Sequence, residues 1–288
     1  MTVADGRRST PPRAGAGRSR QVRVFEDGRA TMRPDHVAVE EPLEIRLLAG
    51  GRRQTVAVTM RTPGADFELA VGFLFAEGVI AGPNDVRRMT YCTDPEVDGD
   101  QRHNIVNVEL AGATTPDLRP LERHFFTTSA CGVCGRATLD ALELRGCAPA
   151  TGGPHVPGDV RDALPARLRC AQSLFEATGG LHAAGLFDAA GDLVAIREDV
   201  GRHNALDKLV GWAVLQGRVP LADHVLLASG RTSYEILQKA IVAGLPMVCG
   251  ISAPSSLAVD LAERFGVTLV GFLRERRCNV YAHAGRVS

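Results

Sequence analysis

The chain has 288 residues, 45% of them hydrophobic and 23% charged, and its 33 basic side chains balance its 33 acidic ones. That is the composition of a globular protein long enough for two modest domains or one large one. The missing basic surplus argues against a nucleic-acid function, and the most apolar window, residues 69–76, is too short to cross a bilayer.

Residues 1–20 are rich in Gly, Pro, Arg and Ser with little to bury, which predicts a disordered tail. Arg7-Arg8 lacks the apolar stretch that a twin-arginine export signal requires. Alternating residues 43–48 and 55–60 across Ala49-Gly50-Gly51-Arg52 predict a β-hairpin. Residues 65–77 predict a helix with Phe67, Leu69, Ala70, Phe73 and Leu74 on a broad apolar face and Gly78 as its stop. Residues 105–110 predict a further strand. Residues 21–115 are thus expected to form a small α+β domain, followed by a connector over 116–160.

From residue 161 the expectation is an α/β domain. Its pattern is a helix at 167–177, a strand pair at 182–187 and 193–197, a helix at 203–215, then strand 225–228, helix 233–243, strand 247–251, helix 256–265 and strand 267–273. Strands alternating with helices imply parallel crossovers and a sheet covered on both faces.

In such sheets ligands gather beyond the carboxyl ends of the strands. The strand at 225–228 runs into Ser229-Gly230-Arg231-Thr232-Ser233. The next runs into Ser252-Ala253-Pro254-Ser255-Ser256, and the last into Phe272, Leu273, Arg274, Glu275, Arg276 and Arg277. Two of these turns open helices, whose N-termini offer unpaired N–H groups and partial positive charge. Thr232-x-x-Glu235 also fits a capping box. Arg231, Arg274, Arg276 and Arg277 add charge suited to phosphate. Serines as caps and arginines as a solvated face are the plainer alternative, but three turns converging with four arginines favour an anionic ligand. Asp199-Val200-Gly201-Arg202-His203-Asn204 is expected on the same rim, with His203 and Asn204 either meeting a base, ribose or phosphate or acting structurally.

Seven cysteines, at 92, 131, 134, 147, 170, 249 and 278, are too few and too scattered for a secreted disulfide scaffold. They point to a reducing, cytoplasmic setting. The close pair, Cys131-Gly132-Val133-Cys134-Gly135, precedes an expected short helix carrying Leu139 and Leu142. That helix end would favour a thiolate, and glycines leave room for an incoming group. Four readings compete. A structural zinc site lacks a second close pair of ligands. A redox pair of thioredoxin type belongs directly after a first βαβ strand. Inert core cysteines fit poorly in a glycine-rich turn. The fourth reading is a nucleophile carrying a transferable group.

Together, Cys-Gly-Val-Cys-Gly (131–135), Thr-Gly-Gly-Leu-His-Ala-Ala (178–184), Glu-Asp-Val-Gly-Arg-His-Asn-Ala-Leu-Asp-Lys (198–208), Ser-Gly-Arg-Thr-Ser-Tyr-Glu (229–235) and Leu-Val-Gly-Phe-Leu-Arg (269–274) resemble the FdhD/NarQ family of formate dehydrogenase accessory sulfurtransferases. The resemblance covers nearly everything after the N-terminal tail. It implies that sulfane sulfur is taken from a cysteine desulfurase as a persulfide on Cys131 and passed to Mo-bis(molybdopterin guanine dinucleotide), or its tungsten counterpart, for insertion into formate dehydrogenase. Cys134 would be auxiliary, and Phe272 through Arg277 would bind the cofactor. Here Leu-Arg-Glu-Arg stands between Phe272 and Arg277 where a familiar family form reads Cys-Lys-Pro-Gly, with cations kept at Arg274 and Arg277. Arg231 and His203 are additional candidate contacts.

The family's C-terminal domain resembles the cytidine deaminase fold, but the deaminase zinc-ligand positions correspond here to His203-Asn204-Ala205 and to residues 229–233, which contain no cysteine. Deaminase chemistry and a resident metal are therefore not expected. Two cofactor arms suit a symmetric homodimer. The alternatives are a non-catalytic cofactor chaperone, in which the cysteines are incidental, and a zinc-binding structural protein.

Overall fold

The computed structural model describes residues 15–112, 142–143 and 146–288. Cys131 and Cys134 lie outside these residues, as do the helix expected after them, except for Leu142, and most of the expected N-terminal tail.

Strand β1 (Gly17–Glu26) pairs antiparallel with β2 (Arg29–Ala38). Their turn is Asp27-Gly28, both with positive φ (50° and 74°), as a two-residue hairpin turn requires. Residues 17–20, assigned from composition to a tail, are instead paired with residues 35–38. Almost all of this hairpin is exposed, so it carries no burial pattern that a sequence reading could detect.

Strands β3 (Glu41–Ala49), β4 (Arg52–Arg61), β5 (Val86–Tyr91) and β6 (Ile105–Leu110) form a second sheet in the order β4-β3-β6-β5. Only β3 and β6 run parallel within it. Helix α1 (Asp66–Ala76) follows β4. The corner between them is held by Arg61, which is fully buried. Its guanidinium donates to Asp66 Oδ1 at 3.0 Å and to Asn104 Oδ1 at 3.1 Å, and Tyr91 donates to Asp66 Oδ2 at 3.1 Å. A buried cation is tolerated because its donors meet a carboxylate and other acceptors.

The third sheet contains β7 (His182–Phe187), β8 (Leu193–Asp199), β9 (Val225–Ala228), β10 (Met247–Gly250), β11 (Thr268–Arg274) and β12 (Arg277–Ala282), in the order β12-β11-β10-β9-β7-β8. The chain is thus of the mixed α/β class. The expected parallel crossovers hold for β9, β10 and β11, whereas β7 is antiparallel to both its neighbours and β12 is an antiparallel edge strand. Helix α2 (Gly158–Ala171) covers one face through Leu164 and Leu168, and α3 (Ser173–Thr178) follows it. The expected single helix at 167–177 is therefore two, broken at Gln172. Glu198 accepts from the backbone N–H groups of Leu174 and Phe175, at 3.1 and 2.8 Å, and so starts α3 afresh. Helices α4 (Arg202–Leu215), α5 (Tyr234–Val242) and α6 (Ser256–Arg264) cover the other face.

One core runs through both larger sheets. It joins Leu43, Ile45 and Val106 of the smaller sheet to Leu69 and Leu74 of α1, then Leu206 and Leu209 of α4, then Leu226 and Val248. Helices α1 and α4 cross at Gly72 and Gly211. A Cβ on Gly72 would overlap the Asp207 carbonyl oxygen, and one on Gly211 would overlap that of Glu68. Only glycine lets the two backbones approach this closely.

Candidate functional site at the strand ends

The carboxyl ends of β8, β9, β10 and β11 lie along one edge of the six-stranded sheet, with the amino end of antiparallel β7 among them. The sequence-predicted turns do meet there. Backbone hydrogen bonds join them: Ile251 N–H donates to Ala228 O (3.1 Å), Thr232 N–H to Ala253 O (3.2 Å), Ser255 N–H to Thr232 O (3.0 Å) and Phe272 N–H to Ser252 O (3.1 Å). The loops after β9 and β10 thus form one floor.

Several of the hydroxyls serve that floor. Ser229 Oγ accepts from Ala183 N–H at 2.9 Å, tying the β9 loop to β7, and Ser255 caps α6 by accepting from Ala258 N–H at 3.3 Å. The capping box expected from Thr232 and Glu235 does not form. Ser233 is the N-cap of α5, without a side-chain cap bond, and Glu235 turns to His203. Thr232 Oγ1 is buried without a hydrogen-bond partner among the described residues, close against Gly250, where a Cβ would lie 2.5 Å from it.

On one side of the floor stands the start of α4. Asn204, a candidate ligand contact on sequence, is committed elsewhere. Its amide donates to Met60 O at 2.7 Å and to Asp199 Oδ1 at 3.2 Å, and its oxygen accepts from Thr59 at 3.2 Å. It joins the β8–α4 turn to β4. His203 remains at the rim, its Nε2 2.8 Å from Glu235 Oε2 and 3.3 Å from Ser233 Oγ. That contact, more than opposing burial, holds the Glu235 carboxyl below the usual carboxylate range.

Arg202 and His182 belong to this group too, although the sequence reading did not single them out. Both crowd Gly230: a Cβ there would lie 3.3 Å from Arg202 Cδ and 3.4 Å from His182 Cε1. Arg202 Nε is buried and has no hydrogen-bond partner among the described residues. Burial first, then the charges of Arg202 and His203, push the His182 imidazole below its ordinary value. An unpaired guanidinium nitrogen and a histidine beside cations are what a site for an anion presents before the anion binds. The available sequence signal was Arg202 beside His203 in the turn that opens α4.

On the other side rises the β11–β12 hairpin. β11 continues to Arg274, which pairs with Arg277, leaving Glu275 and Arg276 at the turn, and all four are exposed. Because Cys249 is level with Val270, Arg274 stands about 10 Å beyond the neighbouring strand end. Phe272 adopts φ 51°, and the register shifts between Gly271 and Arg274. This irregularity breaks the alternation and turns Leu273 fully into the core on the α2 side, away from the rim. Phe272 stays half-buried. Arg231 is exposed on the β9 loop between the two walls. The arrangement fits an elongated anion, with arginines at both ends and backbone turns beneath. Among the described residues, no group of three or more His, Cys, Asp or Glu side chains is placed to hold a metal ion, and no helix is long and apolar enough to cross a membrane.

Relatives named sulfur carrier protein FdhD are 51% identical over 272 residues in Streptomyces coelicolor, covering 93% of this chain and 95% of that one. In Mycobacterium tuberculosis the figure is 48% over 273 residues, covering 93% and 98%. The crystal structure of a Desulfotalea psychrophila protein, assigned as a formate dehydrogenase accessory protein, superposes with a TM-score of 0.72 at 25% identity, covering 95% of this chain and all of that one. The model of the FdhD/NarQ family matches residues 38–288. The chain belongs to the FdhD/NarQ family.

Proposed function

We propose that this chain is a sulfur carrier in the maturation of formate dehydrogenase, working in the cytoplasm through a persulfide on Cys131. The observation that carries the reading is the rim, where arginines from α4, the β9 loop and the β11–β12 hairpin surround a hydrogen-bonded floor and Arg202 Nε is left without a partner among the described residues. The substrate it suits is Mo-bis(molybdopterin guanine dinucleotide), whose diphosphates would meet Arg202, Arg231, Arg274, Arg276 and Arg277. The names of the relatives, sulfur carrier protein FdhD, support the sulfur half of the reading.

In this scheme the Cys131 thiolate attacks the outer sulfur of a cysteine desulfurase persulfide. The desulfurase S–S bond breaks, its cysteine leaves as thiolate, and Cys131 carries the extra sulfur. Attack of the Cys134 thiolate on Cys131 Sγ then expels that sulfur as hydrosulfide to the bound substrate. The resulting Cys131–Cys134 disulfide is reopened by a cellular dithiol. The chain length allows this route. Leu142 is buried in the core, and the neighbouring Glu143 is paired with Arg264 at 2.7 Å, at the end of α6 away from the rim. Leu142 lies eleven positions after Cys131, a stretch that spans up to about 36 Å when extended.

The α/β half is read as a deaminase-like platform reused for binding. Its strand pair followed by three helix-linked strands supports this. A symmetric homodimer with one rim per chain would offer a place to each guanine dinucleotide arm.

The test is mass spectrometry after incubation with a cysteine desulfurase and cysteine. One added sulfur mapped to the 131–134 segment is expected, and none there in Cys131→Ala. An unchanged rate of sulfur uptake by Cys131→Ala overturns the reading. Cys170 is exposed and supplies the background, whereas burial pushes the Cys249 thiol up to about 12 and keeps it inert.

A further inference from the structure

Glu235 is out of place in an anion-binding rim. It stands exposed in the first turn of α5, close to Arg202 and His203, where a diphosphate would be repelled by its charge. A first-turn acid is common, because the helix dipole favours it. Here, however, the carboxylate does not cap its helix. Oε2 is held by His203 at 2.8 Å, and Oε1 has no partner among the described residues. His203 is steadied in turn by Ser233 at 3.3 Å. The result is an ionised carboxylate with a fixed orientation and one face open.

From these contacts we infer that Glu235 is the specificity residue for the purine of the bound dinucleotide, accepting the adjacent N1–H and N2–H₂ donors of guanine, with His203 positioning it. This rests on the reading above that a guanine dinucleotide binds at the rim. A carboxylate is an acceptor only. Guanine presents two adjacent donors to it, whereas adenine presents one donor beside a ring nitrogen lone pair that the carboxylate repels. A site built around such a hydrogen-bonding pattern rejects the analogue that lacks it. The spacing suits the assignment. Helix α5 follows β9, and Arg274 ends β11, two strand intervals or about 10 Å away across the sheet. That leaves room for ribose and diphosphate between the base and the hairpin arginines.

The test is calorimetric binding of GDP, IDP, ADP and inorganic pyrophosphate to the full chain and to Glu235→Gln and His203→Gln. IDP lacks the N2 amine. The unchanged protein is expected to bind GDP about tenfold more tightly than IDP, and ADP more weakly still. In Glu235→Gln the GDP:IDP ratio should fall toward one while pyrophosphate binding is kept or improved. In His203→Gln the ratio should shrink only in part. A merely structural Glu235 would weaken all four ligands together, and that result, or an unchanged GDP:IDP ratio in Glu235→Gln, overturns the inference alone. Failure of the unchanged protein to bind GDP at all removes the dinucleotide reading and this inference with it.

Discussion

Lys208 Nζ lies 2.6 Å from Asp199 Oδ2, and both side chains are buried. The same carboxylate accepts from Thr62 N–H at 3.1 Å and Gly201 N–H at 2.8 Å, while Lys208 donates to Thr62 O at 2.8 Å. One ion pair therefore fixes both the β8–α4 turn, which carries Arg202 and His203, and the β4–α1 corner of the smaller sheet. Within the Glu-Asp-Val-Gly-Arg-His-Asn-Ala-Leu-Asp-Lys segment, Asp199, Asn204 and Lys208 build the frame, and Arg202 and His203 face the rim.

Lys208→Met should therefore cost about 3–5 kcal/mol of stability, because it leaves a buried carboxylate without its cation. Lys208→Met combined with Asp199→Asn should cost less than the sum of the two single changes. Urea denaturation of the three variants measures this, and additive losses would show that the two groups act independently. Pyrophosphate binding should weaken in Asp199→Asn, whose turn no longer holds Arg202 in place.

The parallel core of the larger sheet was legible because its strands are short apolar runs and its helices have clear stripes. The expected strand 225–228 coincides with β9, α4 and α6 differ from expectation by one residue at one end, and α5 by one residue at each end. The β1–β2 hairpin was not legible, since it is largely exposed and so lacks an alternating apolar pattern, and β12 is a partly buried edge strand without one. Helix α2 was recognised only at its end because just Leu164 and Leu168 are buried along its length.

A second prediction concerns the crossing of α1 and α4. In Gly211→Ala the new methyl would overlap the Glu68 carbonyl oxygen and lie 2.7 Å from Gly72 N. Backbone atoms cannot rotate away as a side chain can, so the helices would have to separate and loosen the shared core. A loss of about 3 kcal/mol is expected, read as a fall of roughly 10 °C in the thermal midpoint. An unchanged midpoint would mean that the crossing tolerates a wider separation.

At the rim, the sequence reading correctly brought the three turns to one edge, because strand direction alone determines where they end. It could not separate framework from contact. Ser229, Ser255 and Asn204 have the polar character of ligand groups but spend it on the protein's own backbone and side chains. Leu273 sits in a segment assigned to the cofactor, yet the bulge at Phe272 turns it into the core. The pairing of His203 with Glu235 depends on how α4 and α5 lie against each other, which no spacing along the chain encodes.

His182 gives the third prediction. Burial, reinforced by Arg202 and His203 and opposed by Asp199, lowers its pKa in the folded state. The unfolded chain, where histidine titrates near 6.5, then binds a proton before the folded chain does, and stability falls as pH drops below about 6.5 until the folded-state imidazole also protonates. His224 is lowered by burial in the same direction, so the informative quantity is the difference between the unchanged protein and His182→Gln. The variant should lose less stability between pH 7.5 and 5.5. A diphosphate at the rim would offset the charges of Arg202 and His203, raise the His182 pKa and draw a proton into the complex. GDP affinity should accordingly increase as pH is lowered from 7.5 toward 6, and His182→Gln should flatten that increase. Parallel urea titrations and calorimetry across this range decide it: identical pH profiles for the two proteins would place His182 outside the electrostatics of the site.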